Sequence, residues 1–245
     1  MTLPLTLATG SCAHTEQASG QWGYEGSIGP EYWAQLSQEY AVCGAGREQS
    51  PIDISDAVPS EMAALNFFYQ DTPLRILNDG HTIQVAGDTA GFMQIEGSRY
   101  DLVEFHFHRP SEHTVNGRFY EMEMHLVHRG IDGETVFVGV FMERSERDNT
   151  LLQKMWDHLP PDYRQQYLIE QVIINPGELL PANKSFYYYS GSLTTAPCSE
   201  RVKWYVMKQP ISVSGEQVIR FSSLYGNNAR PVQASNGRVI EQSIR

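Results

Sequence analysis

The chain has 245 residues, of which 41% are hydrophobic, 19% charged and 11% aromatic. That is globular composition with enough apolar material for a sizeable core, and it excludes a disordered chain. Eighteen lysines and arginines against 29 aspartates and glutamates give a formal charge of −11. An acidic chain without a basic cluster has no footprint for a nucleic acid backbone. No stretch has the ~18 uninterrupted apolar residues of a transmembrane segment.

Residues 1–13 (MTLPLTLATGSCA) are apolar and carry no lysine or arginine. They fit the end of a secretory leader, with Ser11-Cys12-Ala13 as a small-residue cleavage site. They also fit a lipid attachment point at Cys12, against which Thr9-Gly10-Ser11 counts, or a disordered tail. Residues 1–20 are set aside as leader remnant or tail. Residues 21–245 read as one domain, since no repeat, low-complexity tract or linker divides them. Of the three cysteines, Cys43 and Cys198 remain if the leader is removed. That parity fits one disulfide formed in an oxidising compartment, whose long loop contributes about 4–5 kcal/mol in the chain-entropy picture. Two buried thiols are the alternative, and the count does not choose.

Short β-rich runs separated by turn residues predict strands at 74–78, 81–86, 91–96, 100–108, 119–128, 135–143, 171–175, 186–189 and 201–208. Asn78-Asp79-Gly80 and Asn116-Gly117 read as hairpin turns. Two helices are predicted. One runs over 148–159, with a cap in Asp148-Asn149-Thr150 and apolar residues at 151, 152, 155, 156 and 159; the other runs over 214–224, with a capping-box start at Ser214 and Gln217. The fold class is mainly β with a few peripheral helices.

Eight histidines are present, and strand alternation sorts those in the two richest runs by face. Glu104, His106 and His108 share one face of the first run, and Phe105 and Phe107 the other. In the second, Glu121, Glu123, His125 and Val127 fall together, opposite Met122, Met124, Leu126 and His128. The apolar faces predict core, with His128 a core histidine that has a satisfied hydrogen bond. Three imidazoles from two neighbouring strands can converge on a tetrahedral ion at about 2.0–2.1 Å and leave a fourth position for water. Glu104 and Glu123 are placed to accept from the rings' second nitrogens. His106-x-His108-x-x-x-Glu112 also fits a cupin metal motif, but the glycine that motif wants near position 100 is Tyr100, and its Pro-x-Gly is missing from 116–124.

Taken together, these runs resemble an α-class carbonic anhydrase of the bacterial, exported type. The resemblance starts at about Trp22 and is carried by Trp22-Gly23-Tyr24, Gly29-Pro30-Glu31-x-Trp33, Gln49-Ser50-Pro51-Ile52-Asp53-Ile54, Asn78-x-Gly80-His81 and Glu104-Phe-His-Phe-His108. It continues through Ser111-Glu112-His113-Thr114, His125-Leu126-Val127-His128, Gly191-Ser192-Leu193-Thr194-Thr195 and Asn228-x-Arg230-Pro231. It implies a large twisted, mostly antiparallel sheet of about ten strands. It also implies reversible hydration of CO2 to bicarbonate and a proton by zinc-bound hydroxide, a reaction for which the family itself is the type case of a metal acidifying its water.

By the same resemblance, His106, His108 and His125 are the Zn2+ ligands, with Glu104, Glu123 and Asn228 behind them. Thr194 accepts from the hydroxide because Glu112, able only to accept, takes the threonine proton. His81 shuttles the proton out, and Tyr24 helps to order the connecting waters. Val127, Leu193, Thr195 and Trp204 line the CO2 site. Phe137 falls where the family usually has a small aliphatic residue, and a phenyl ring there would crowd the substrate. His113 belongs to Glu123's buried network, Asp79 acts on the His81 imidazolium, and Cys43 pairs with Cys198. The implied location is periplasmic or secreted, with a lipid anchor at Cys12 as a variant. Implied ligands are sulfonamide and anion inhibitors, and a homodimer is one assembly the family admits. The alternative function is a catalytically silent binding module of the same family.

Overall fold

The structure, a computed structural model, describes residues 21–244; the leader readings and Cys12 lie outside them. Fourteen strands run β1 (Asp53–Ile54), β2 (Val58–Ser60), β3 (Asn66–Tyr69), β4 (Thr72–Asn78), β5 (Ile83–Ala86), β6 (Gly91–Ile95), β7 (Ser98–His108), β8 (Thr114–Val115), β9 (Met122–Gly130), β10 (Thr135–Ser145), β11 (Gln166–Ile174), β12 (Phe186–Ser192), β13 (Glu200–Ser214) and β14 (Glu241–Ser243). Ten of them lie side by side in the order β11-β4-β5-β7-β9-β10-β13-β12-β14-β2, with β6 added to β7 and β3 to β6, which makes one twelve-stranded sheet. β1 and β8 form a separate parallel pair.

The sheet is less uniform than expected. Its centre pairs β10 parallel to β13, and β14 runs parallel to β2. The chain leaves β10 through helix and edge strand and returns to the sheet centre in the same direction, as a parallel pair requires. The expected strand at 81–86 starts only at Ile83, because Asp79 Oδ1 accepts from the backbone N–H of both His81 and Thr82 at 2.7 Å and extends the turn. The expected strand at 119–128 starts at Met122, and that at 171–175 is the end of the longer β11. The hairpin turn at Asn116-Gly117 stands, both residues taking positive φ.

Among the described residues there are four α-helices, α1 (Trp33–Leu36), α2 (Val42–Ala45), α3 (Thr150–Trp156) and α4 (Gly215–Ser222), besides three short 3-10 turns. Asn149 caps α3 by accepting from Leu151 and Leu152, and Ser214 and Gln217 form a reciprocal capping box on α4. Both helices are shorter than the apolar period suggests, since their last periodic residues sit in the turn that follows.

Alternation places the core on one side of the sheet. Phe105, Phe107, Met122, Met124, Leu126, Val136, Val138 and Val140 are buried there and share one cluster with Leu152, Trp156 and Phe221 of the helices. Phe107 packs edge-on against Trp156 with ring centroids 4.8 Å apart, directly behind the histidine run. The opposite face carries a smaller cluster that includes Ile52, Val127, Phe137, Trp204 and Val206. Cys43 and Cys198 are bonded, with Cα atoms 5.0 Å apart and 155 residues between them in sequence, tying α2 to the segment that enters β13.

His128 lies on the core side, fully buried, with Nε2 2.6 Å from the Tyr69 hydroxyl. Burial pulls its pKa down to about 3, against about 6.5 unfolded. The unfolded chain therefore binds a proton that the native chain refuses, so stability falls as pH drops from about 6.5 toward 3. At about 1.4 kcal/mol per pH unit, the loss between pH 7 and pH 4.5 is about 2–3 kcal/mol. Urea unfolding at both pH values is expected to show His128→Gln losing that much less than the parent; equal losses would remove His128 as the cause.

Candidate metal centre

β7 and β9 are adjacent antiparallel strands whose register sets His106 opposite His125, His108 opposite Glu123 and Glu104 opposite Val127. This brings the three imidazoles together on the face away from the main core. Ring centroids are 5.0 Å apart for His106–His108, 5.3 Å for His106–His125 and 4.6 Å for His108–His125, and one nitrogen of each lies within 4.8 Å of the other two.

The second nitrogen of each ring fixes the tautomer. His106 Nδ1 lies 3.0 Å from both oxygens of Glu104, His108 Nδ1 lies 2.8 Å from the Asn228 carbonyl, and His125 Nε2 lies 3.0 Å from Glu123 Oε1. Carboxylates and carbonyls only accept, so each of these nitrogens carries the hydrogen. The lone pairs then belong to His106 Nε2, His108 Nε2 and His125 Nδ1. The latter two are buried and have no hydrogen-bond partner, which in a protein interior calls for an unseen ligand. Burial pulls His108 well below the usual imidazole range and His125 down to about 4, so both stay neutral, as metal ligation requires. His106 is depressed by burial, but the Glu104 charge and hydrogen bond outweigh this and raise it. This donor set fits zinc.

A second trio, His113, Glu123 and His125, is equally close, yet its nitrogens donate. Glu123 Oε1 accepts from His113 Nδ1 at 2.7 Å and from His125 Nε2, while Oε2 accepts from the backbone N–H of Glu112 and His113 at 2.9 and 2.8 Å. Burial works against the Glu123 charge, but His113 and His125 hold the carboxyl well below its usual range. β10 gives it room with a glycine: a Cβ on Gly139 would come within 2.9 Å of Glu123 Oε1.

Glu112 follows the histidine run beyond the cis Arg109–Pro110 bond, fully buried. Oε1 accepts from the Arg230 backbone N–H at 2.8 Å, and the Thr194 hydroxyl hydrogen-bonds the carboxylate. Oε2 lies 3.6 Å from His108 Nε2 and 3.8 Å from His125 Nδ1. Burial pushes Glu112 up to about 8, with Thr194 and Arg230 pulling against it; a divalent cation beside it pulls the same way. Thr194 and Thr195 sit in the segment between β12 and β13, pinned by Leu193 N–H to Ser199 O at 2.9 Å and Cys198 N–H to Thr195 O at 2.8 Å. Asn228 is a junction. Its carbonyl holds His108, its Oδ1 accepts from the Arg109 N–H at 2.8 Å, and its Nδ2 donates to the carbonyls of His81 and Phe107 at 3.0 and 2.9 Å.

Strand register also builds the apolar wall: Val127, Phe137 and Trp204 are cross-strand neighbours, and Phe137 stacks on Trp204 at 4.7 Å. Phe137 is therefore on the pocket side, its ring 6.5 Å from His106 and 6.0 Å from His125. Leu193 packs against the same cluster. His81 stacks on Trp22 at 3.8 Å, and its Nε2 lies 3.0 Å from the Trp22 carbonyl. Tyr24 packs against Trp22 and Trp33, and burial with the charges of Glu112 and Asp79 pushes its hydroxyl well above the usual range. Asp79 Oδ1 accepts the His81 and Thr82 backbone N–H groups and so shapes the turn that carries His81.

Three supporting residues carry no sequence-assigned role. The Tyr189 hydroxyl joins His113 Nε2 at 2.6 Å to Ser50 Oγ at 2.8 Å. Arg230 donates to the carbonyls of Ser50 and Cys43. Ser50 and Arg230 stand within quoted motifs, but nothing in a linear pattern says whom they touch.

A mainly β protein with three convergent imidazoles, two of them fully buried and held neutral, is the class these observations define. The sequence model of the eukaryotic-type carbonic anhydrases matches residues 28–244. A carbonic anhydrase of Nostoc sp. is 41% identical over 228 residues, covering 91% of this chain and 86% of that protein. One of Klebsiella pneumoniae is 42% identical over 226 residues, covering 91% of each. The α-carbonic anhydrase of Thermovibrio ammonificans, solved with the inhibitor sulfanilamide, superposes with a TM-score of 0.86 at 44% identity, covering 91% of this chain and 99% of that one. The chain belongs to the α-class carbonic anhydrases, lyases whose family reaction is CO2 hydration.

Proposed function

We propose that residues 21–245 are a catalytic domain that hydrates CO2 reversibly to bicarbonate and a proton, with zinc held by His106 Nε2, His108 Nε2 and His125 Nδ1. The observation that carries this is the pair of buried, partnerless imidazole nitrogens beside a third whose opposite nitrogen is fixed by a carboxylate. Zinc, when bound, supplies the acidity that makes water a nucleophile near neutral pH, an effect for which this family is the type case.

The chain's own residues do the rest. Glu112 accepts a hydrogen bond from the Thr194 hydroxyl, so the threonine lone pairs face the nucleophile and aim it, an orientation effect in which a 1 Å error costs about 10²-fold. Val127, Leu193, Thr195 and Trp204 hold CO2, and the Phe137 ring narrows that space. Tyr24 keeps its proton and supports an ordered water path. His81 receives the released proton at the rim and passes it to buffer, an imidazole being able both to take up and to give up a proton. The sulfanilamide complex of the Thermovibrio enzyme supports sulfonamides, and with them small anions, as inhibitors. The Cys43–Cys198 bond supports an exported, periplasmic or secreted protein.

Two measurements test this. CO2 hydration is expected to vanish on chelation and return with zinc; a zinc-loaded protein without activity would establish the silent module instead. His81→Ala is expected to keep its zinc, lose about 10²-fold in turnover in weak buffer and recover in imidazole buffer. Unchanged turnover would end the shuttle assignment.

A further inference from the structure

Along β13, Lys203 and Tyr205 alternate with Val202, Trp204 and Val206. Trp204 lies against the His125 ring, so Lys203 and Tyr205 point to the other, core side of the sheet. On that side the turn between β6 and β7, the segment leaving β2 and the strands β12, β13 and β14 enclose a groove of ≈ 410 Å³. That size is common to small-molecule sites. Ile95 and Met62 give the groove an apolar lining, and Tyr100, Tyr188 and Tyr205 an aromatic one. The Tyr188 and Tyr205 rings lie 5.0 Å apart at 42°.

Three carboxylates, Glu61, Glu96 and Glu241, line the groove against one cation, Lys203. That cation is already neutralised: Lys203 Nζ pairs with Glu134 Oε1 at 2.7 Å, while Glu134 Oε2 accepts from the Tyr100 hydroxyl at 2.9 Å. Arg99, beside Ser98 in the same hairpin, turns to the opposite face of β7, where it pairs with Asp101 at 2.6 Å and covers the Phe92 ring. Among the described residues the side chains of Glu61, Glu96 and Glu241 have no ion-pair or hydrogen-bond partner. Tyr205 is only 8% exposed, yet its hydroxyl has no hydrogen-bond partner among the described residues either, although a buried phenol ordinarily finds one. Burial, then Tyr188, Tyr100 and the charges of Glu134 and Glu96, push its pKa up. It therefore stays an un-ionised hydroxyl, with an oxygen free to accept.

We propose that this groove binds an alkylammonium ion, whose N–H groups donate to the Tyr205 oxygen and to Glu96 and Glu241 and whose stem lies on Ile95 and Met62. Three features select that class. The surplus of carboxylates favours a cation and rejects an anion, tyrosine faces attract an ammonium head, and the apolar lining suits a short hydrocarbon stem. A bare metal ion would use the carboxylates alone. The site lies across the sheet from the imidazoles and does not depend on the metal they hold.

The test titrates n-butylammonium, 1-butanol and butanoate, alike in size and different in charge, into the isotope-labelled, zinc-loaded protein, following the amide NMR signals of Ser98, Lys203 and Tyr205. The ammonium ion is expected to saturate shifts at these positions and to bind roughly tenfold tighter than the alcohol, while butanoate shifts none of them. That preference is expected to fall within about twofold in Glu96→Gln/Glu241→Gln. It should persist in Glu146→Gln/Glu170→Gln, which removes the same charge from two exposed positions elsewhere. Tyr205→Phe keeps the ring and is expected to weaken the ammonium ion about threefold while leaving the alcohol unchanged. CO2 hydration unchanged in every variant shows that each is folded. Equal affinity for ammonium ion and alcohol, a full preference surviving Glu96→Gln/Glu241→Gln, or an equal loss in both charge variants would overturn the assignment, the last by reducing it to net charge.

Discussion

His125→Ala is expected to remove zinc and CO2 hydration together. His125 Nδ1 is one of three convergent nitrogens and is fully buried without a hydrogen-bond partner. Its loss leaves two imidazoles of one strand, which cannot close a tetrahedral set. The site is also emptied asymmetrically, because Glu123 Oε1 loses the N–H it accepts at 3.0 Å. Metal content after dialysis and stopped-flow hydration should both drop to background, and added zinc should not restore activity. A variant that retained stoichiometric zinc would show that the ion is held elsewhere. The contrast with His81→Ala, which keeps its metal, separates ligation from proton export.

Glu123→Ala is expected to have the largest effect of any substitution that touches neither metal nor substrate. The carboxylate accepts four hydrogen bonds, from two backbone N–H groups and from His113 and His125. Removing it orphans four buried donors, and breaking such a network costs about 3–5 kcal/mol. It also frees the His125 ring to turn, so zinc affinity should fall about 10- to 100-fold. Urea unfolding and competition with a chelator read the two effects separately. Unchanged zinc affinity in a destabilised variant would mean that packing against Trp204, 4.8 Å from the His125 ring, fixes the imidazole without help. Glu123→Gln should lie between, since the amide still offers one acceptor but turns an N–H2 group toward donors.

The sequence read most clearly wherever side-chain period did the work. Two-residue alternation separated Phe105 and Phe107 from His106 and His108, and Met122 and Met124 from Glu123 and His125, and the faces fall on those sides. It also made His128 a core residue, and the Ser214–Gln217 capping box was visible as a local pattern. Elements of two to four residues, β1, β2, β3, β8 and β14, carry no period and were not foreseen; their partners are remote in sequence and fix them. The parallel seam of β10 with β13 escaped for a similar reason, since alternation is the same in either direction. The site divided along the same line. Glu104 and Glu123 could be placed behind their histidines by parity alone, whereas the Asn228 carbonyl behind His108, the Arg230 N–H on Glu112 and the Tyr189 bridge from His113 to Ser50 join residues whose proximity only the fold creates. Asp79 adds a contact that adjacency alone did not reveal: a short acid at a turn accepts from nearby backbone N–H groups, here those of His81 and Thr82.

The account stands on three nitrogen donors leaving a fourth position open. X-ray absorption at the zinc edge on the zinc-loaded protein is the most direct measurement of it. The predicted result is four light-atom neighbours at about 2.0–2.1 Å, three with the multiple-scattering signature of imidazole and the fourth exchanged when a sulfonamide is added. A sulfur neighbour at about 2.3 Å, a fourth protein ligand that no sulfonamide displaces, or a spectrum unchanged by His125→Ala would contradict it.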